Sequence, residues 1–132
     1  MIKSVYIGAD SADYDFKKRL INDLKSDGLV VVDLGVFMIE EQVTLDDLGR
    51  EVGEKVAQDP ESIGILIEKD GLNMCIVADE MGPVHSTVCL KSHDISFDAS
   101  NCNTICLSEA CMEYPKTLQN VRKFIHSKNN HQ

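Results

Sequence analysis

Short, nearly uninterrupted runs of apolar, β-prone residues alternate along this chain with segments of helical spacing. The runs are Ser4 to Ile7, Leu29 to Leu34, Ile63 to Ile67, Val84 to Cys89 and Thr104 to Leu107. Between the first two, Phe16, Leu20, Ile21 and Leu24 share one helical face; between the next two, Leu45, Leu48, Val52 and Val56 do the same. Runs such as Val30-Val31-Val32 and Ile63-Gly64-Ile65-Leu66-Ile67 lack polar alternation, so both faces of each strand must be covered. Parallel sheets clad by helices meet that demand. The expected fold is therefore α/β, a Rossmann-like three-layer α/β/α sandwich around a parallel sheet.

The punctuation agrees. Thr44, with Asp47 three residues later, opens the second helical run, and Asp59-Pro60 closes it. A last helix begins near Pro115 and carries the stripe Leu118, Val121, Phe124 and Ile125. Residues from about 128 to 132 are expected to fray. No repeat or linker divides the 132 residues, so one domain is expected over 1–132.

Charge narrows the function. Thirteen basic against twenty-two acidic residues give a net charge of −9, which repels nucleic acid and anionic lipid surfaces. No apolar run approaches the roughly 20 residues that cross a bilayer, and the default expectation is a cytoplasmic protein. Five cysteines form an odd set without CxxC spacing and are expected to be reduced thiols. Cys102, Cys106 and Cys111 have the wrong spacing for a zinc knuckle. Neither a metal nor a cofactor is expected.

In an open parallel sheet, ligands bind beyond the carboxyl ends of the strands. That selects the loops Gly8 to Asp13, Asp33-Leu34-Gly35 and Glu68-Lys69-Asp70-Gly71-Leu72-Asn73. The segment IGADSADYDFKKRLINDLKSDGLVVVDLG resembles the opening of the ribose-5-phosphate isomerase B and galactose-6-phosphate isomerase family, with its GADxAG and VxDxG elements. GILIEKDGLNMCIVADE falls where that family has its third strand, ligand loop and following helix, and SNCNTICLSE resembles its HNDANVLALGxR stretch. The resemblance implies a five-stranded parallel sheet, a dimer with the active site between protomers, and interconversion of aldose and ketose phosphates through an enediol.

Such chemistry needs a base beside the carbonyl, donors for the enediolate, an acid–base pair for ring opening and cations for the phosphate. The resemblance puts Glu68 at the base position, as proton acceptor or orienting group, where the ribose enzymes have cysteine. A free glutamate, with a pKa of about 4.3, is a feeble base, so this role requires Glu68 to be at least half desolvated. The alternative is a solvated loop residue beside Lys69. The acidic residue here, with Ser108-Glu109 after the last strand, is closest to the A-type polypeptide of galactose-6-phosphate isomerase.

By the same resemblance, Asp10 orients sugar hydroxyls, and Ser11 stands where ribose enzymes have histidine. Gly71 and Asn73 line the loop, while Asn101 and Asn103 shape a neighbouring wall. Ser100 occupies the ring-opening histidine position, and the family's phosphate-binding arginines and GGRHxxR tail are missing. Lys17, Lys18, Lys69, Arg122 and Lys123 read mainly as solvated helix faces. A second protomer, identical or homologous, would supply the missing histidine and cations. The alternatives are a noncatalytic ligand- or protein-binding member of the family and a receiver-type signalling module, which would need a lysine after the last strand.

A site shared between chains requires self-association. Light scattering at micromolar concentration is expected to give at least twice the 14.7 kDa chain mass; a monomer throughout that range would count against the shared site.

Overall fold

The computed structural model describes residues 1–9, 14–35, 45–68, 73–80, 85–89, 102–108 and 113–130. In chain order the elements are β1 (Ser4–Ala9), α1 (Tyr14–Ser26), β2 (Val30–Asp33), α2 (Leu45–Gln58), β3 (Ser62–Glu68), α3 (Asn73–Asp79), β4 (Ser86–Cys89), β5 (Thr104–Ser108) and α4 (Tyr114–Asn130). The five strands form one sheet in the order β2-β1-β3-β5-β4, and every pairing is parallel.

Period-two alternation divides the buried residues between two cores. Val5, Ile7 and Ala9 of β1, Ile63, Ile65 and Ile67 of β3, and Ile105 and Leu107 of β5 pack with Leu20, Ile21 and Leu24 of α1 and with Val121, Phe124 and Ile125 of α4. The intervening Tyr6, Leu66 and Cys106 face Leu48, Val52 and Val56 of α2 and Ala78 of α3. Helices therefore clad both faces, as the apolar runs demand. Each fully buried aliphatic side chain contributes about 1.5–3 kcal/mol to this arrangement. At Gly64 helix and sheet meet so closely that an added Cβ would lie 2.9 Å from Val52 Cγ1.

The connections are fixed locally. After α1, Leu29 N–H donates to Leu24 O and Gly28 N–H to Lys25 O, at 3.2 and 3.0 Å. This is the Schellman pattern, and Gly28 at φ +92° supplies the left-handed residue that it requires. Between α2 and β3, Asp59 Oδ1 accepts from Glu61 N–H at 3.0 Å, and its carbonyl accepts from Ser62 Oγ at 2.7 Å.

One expectation needs correction: not all the cysteines are thiols. Cys102 is not in a disulfide, but the buried Cys106 is disulfide-bonded. At the end of the chain α4 runs to Asn130, and Asn129 Oδ1 accepts from Ile2 N–H at 2.6 Å, tying the helix to the start of β1.

Helix α4 is docked on α1 through polar groups as well as apolar ones. Tyr114 Oη donates a short hydrogen bond to Asp23, Phe16 meets the Tyr114 ring edge-on at 5.4 Å, and the Arg19 guanidinium lies 3.9 Å above that ring. Arg122 holds Asp27 with two bonds, Nε at 2.8 Å and Nη2 at 3.0 Å. Burial first, and then the Asp23 hydrogen bond, push the Tyr114 phenol far above its ordinary value of 10.0. The folded state keeps a proton that the unfolded chain releases above about pH 10, so this contribution is present below that pH and is lost as pH rises. Tyr114→Phe is expected to lower stability at neutral pH by about 1.5–3 kcal/mol. Urea titrations should also show the variant losing less stability than the wild type between neutrality and about pH 11.

Candidate active site

Directions of exit locate the crevice. The connections leaving β1 and β5 pass to the face that holds α1 and α4, whereas the connection leaving β3 passes to the face of α2 and α3. The carboxyl end of β3 is thus flanked by connections that diverge, which is where parallel sheets open a crevice. Register sets its walls: Ala9 of β1 lies beside Ile67, and Ser108 of β5 beside Glu68.

Glu68 ends β3 at this point and is only 3% exposed. It is a strand residue on the Gly64–Leu66 side of the sheet, not a solvated loop glutamate. Asp10 follows directly on the buried Ala9, but Asp10, Ser11, Gly71 and Asn101 lie outside the described residues. Asn73 is the first residue of α3.

Asn103 is elsewhere. It precedes β5 at the opposite, amino edge of the sheet, where its side-chain Oδ1 accepts from His85 N–H at 2.9 Å and its backbone N–H donates to His85 O at 2.8 Å. It lies five positions before Ser108 along the strand, roughly 16 Å at about 3.3 Å per residue. Within one chain it cannot form a wall beside Glu68.

A lysine that reads from the sequence as solvated is buried. Lys17 of α1 is 1% exposed, and its Nζ lies 3.0 Å from Asp33 Oδ1 at the end of β2. The same oxygen accepts from Gly35 N–H at 3.0 Å. Burial lowers the Lys17 pKa from its ordinary range, and the hydrogen bond and charge of Asp33 work against that shift. The signal is present in the sequence: residue 17 falls on the stripe of Leu20, Ile21 and Leu24, where a solvated residue has no place.

Two other cations among the described residues are engaged. Arg122 is bound to Asp27, and Lys3 lies 3.3 Å from Glu61. A cavity of about 560 Å³ opens among Ile2, Lys3, Gly28, Val30, Arg122 and His126, at the amino edge. Its charged groups Arg122 and Lys3 already have carboxylate partners, so the carboxyl-edge crevice is the better site for chemistry.

The family model described as Ribose/Galactose Isomerase matches residues 5–132. D-erythrulose-4-phosphate isomerase 2 of Mycolicibacterium smegmatis is 27% identical over 116 residues, covering 83% of this chain and 74% of that protein. D-erythrulose-4-phosphate isomerase of Pectobacterium atrosepticum is 30% identical over 86 residues, which are 65% of this chain and 57% of that one. The fold superposes with TM-score 0.80 on ribose-5-phosphate isomerase B from Mycoplasma genitalium with bound ribulose-5-phosphate, at 22% identity, covering 98% of this chain and 92% of the other. The likeness is to the family as a whole; it does not single out the A-type polypeptide of galactose-6-phosphate isomerase, and it leaves the receiver-type reading without support.

Asn103 ties the amino ends of β4 and β5 together by that side-chain bond. Asn103→Ala is expected to cost about 1 kcal/mol in urea unfolding, and an unchanged midpoint would remove the bond from the stabilising set.

Proposed function

The chain belongs to the ribose/galactose isomerase family, and on that premise we propose that it is an aldose–ketose isomerase acting on a small sugar phosphate. The observation that carries this reading is a carboxylate, Glu68, buried at the end of the central strand where the connections diverge. In the proposed reaction Glu68 takes a proton from the carbon next to the substrate carbonyl. The electron pair moves to the carbonyl oxygen, which is protonated as the enediol forms. Return of the proton to the former carbonyl carbon, with loss of the hydroxyl proton on its neighbour, completes the exchange of aldose and ketose. No redox cofactor is required, because the oxidation of one carbon balances the reduction of the other.

Asp10 and Ser11 after β1, and Gly71 and Asn73 after β3, are the residues proposed to meet the sugar hydroxyls and the enediolate. Asn101 and Asn103 are proposed to serve the crevice of a neighbouring chain, since Asn103 sits about five residues of strand from Glu68 in its own. The active unit is then a homodimer or a hetero-oligomer with a homologous protein, and the second chain supplies the phosphate-binding cations. The erythrulose-phosphate isomerases among the relatives favour a four-carbon sugar phosphate, with ribulose 5-phosphate and galactose 6-phosphate as the next substrates to test.

A second reading has one observation in its favour. Arg122 is held by Asp27 on the α1–α4 surface and is not free to bind phosphate at the carboxyl edge. A noncatalytic member of the family would bind sugar phosphate or another protein and turn nothing over. Titration with erythrulose 4-phosphate, ribulose 5-phosphate and galactose 6-phosphate separates the two, because binding without isomerisation selects the noncatalytic reading.

Glu68→Gln preserves shape and hydrogen-bonding capacity but cannot accept a proton. Turnover is expected to fall about a hundredfold or more while substrate binding persists. Full activity in this variant would move the base to another residue.

A further inference from the structure

Two hydroxyl groups stand side by side in the sheet among apolar neighbours. Thr104 is fully buried, and among the described residues neither its Oγ1 nor the buried Oγ of Ser86 has a hydrogen-bond partner. Register makes them neighbours. Ser86 of β4 pairs with Thr104 of β5, so both side chains leave the same face of the sheet. It is the face of Cys106, two residues further along β5, which packs with Leu48, Val52 and Val56 of α2 and Ala78 of α3.

The polar groups around them are bonded to one another. Ser86 N–H donates to Asp79 Oδ1 at 2.9 Å, His85 O accepts from Asn103 N–H at 2.8 Å and from Thr104 N–H at 3.2 Å, and Asn103 O accepts from Gly64 N–H at 2.9 Å. Buried polar groups in folded proteins are almost always bonded, to protein or to ordered water. Valine at 104 would keep the shape of threonine without desolvating a hydroxyl, so the hydroxyl calls for a partner that the apolar layer does not supply. Spacing identifies it. Adjacent strands lie about 4.8 Å apart, and a water about 2.8 Å from each hydroxyl bridges as much as about 5.6 Å. On the β3 side the space above Gly64 is closed: Val52 Cγ1 and Val56 Cγ2 come within 2.9 and 3.1 Å of where a Cβ would stand, closer than an oxygen ordinarily approaches carbon. The room is between β5 and β4.

We propose that Ser86 Oγ and Thr104 Oγ1 together bind one internal water molecule, which fastens β4 to the sheet. β4 ends the strand order and pairs with β5. The water adds a link between side chains to the two bonds that secure the amino end of β4, Asn103 Oδ1 accepting from His85 N–H and Asp79 Oδ1 accepting from Ser86 N–H. Each hydroxyl can donate and accept, so the pair supplies the two polar partners that a buried water requires. This role is independent of the isomerase reading.

The test combines a high-resolution crystal structure of the full chain with the variants Thr104→Val, Ser86→Ala, their double variant and Thr104→Ser. The wild type is expected to show one water within about 3 Å of both hydroxyls, absent from Thr104→Val and retained in Thr104→Ser. Removal of either hydroxyl is expected to lower the folding constant in urea about fivefold to tenfold. Amide exchange at 86–89 should quicken by a similar factor, with β1 and β3 unchanged. The double variant should lose no more than the worse single variant, because neither hydroxyl holds the water alone. A wild-type crystal structure in which the two hydroxyls bond each other directly, or bond separate partners without a shared water, overturns the proposal whether or not the variants fold. Additive losses in the double variant show two independent hydroxyls and overturn the bridge. Unchanged exchange at 86–89 once the water is removed overturns its fastening role.

Discussion

The fold depends on β3 being buried on both faces. All seven of its residues are buried, with β1 on one side and β5 on the other. A strand so placed must find apolar partners above and below, which is why Ile63, Ile65 and Ile67 face one helical layer while Gly64 and Leu66 face the other. Parallel neighbours require crossover connections, and crossovers clad both faces with helices. They also bring every carboxyl end to one edge. Glu68 continues the same alternation, so the constraint that builds the core also leaves a buried carboxylate at the carboxyl end of the central strand.

The two edges of the sheet are treated differently. At the amino edge Asn129 pairs with Ile2, Asn103 with His85, and Asp79 with the Ser86 N–H, while the buried Ser86 Oγ and Thr104 Oγ1 have no hydrogen-bond partner among the described residues. These bonds close the sheet and fasten α4 and α3 to it. At the carboxyl edge, by contrast, ionisable groups are taken out of water: Glu68 at the end of β3 and Lys17 beneath the end of β2. Burial of charge is costly unless it is paired and hydrogen-bonded, and Lys17 meets that requirement through Asp33. The net charge of −9 reinforces the point, since an anionic ligand must be held by local donors against the general field.

Much of this is legible in the sequence because it depends on local periodicity. The run 63–67 announces a strand covered on both faces, the 20-21-24 and 48-52-56 spacings announce the helices that cover it, and Asp59-Pro60 marks the turn between them. The order of degenerate motifs points to the family and to Glu68. Sequence and structure part where a residue's environment is made by distant segments. Lys17 reads as solvated from its charge, although its place on an apolar stripe is at odds with that, and the bond from Ile2 N–H to Asn129 joins the two ends of the chain without any local pattern announcing it.

By itself, then, the sequence determined the alternation of strands and helices, the parallel sheet and the edge at which chemistry would gather, because side-chain periods of 2 and 3.6 residues are written in the chain. Tertiary structure alone decided that Glu68 is buried, that Lys17 is buried against Asp33, and that Asn103 stands at the far edge from both. Burial and pairing belong to segments brought together across the sheet, and no local pattern fixes which residues, sixteen or a hundred positions apart, will share one dry contact.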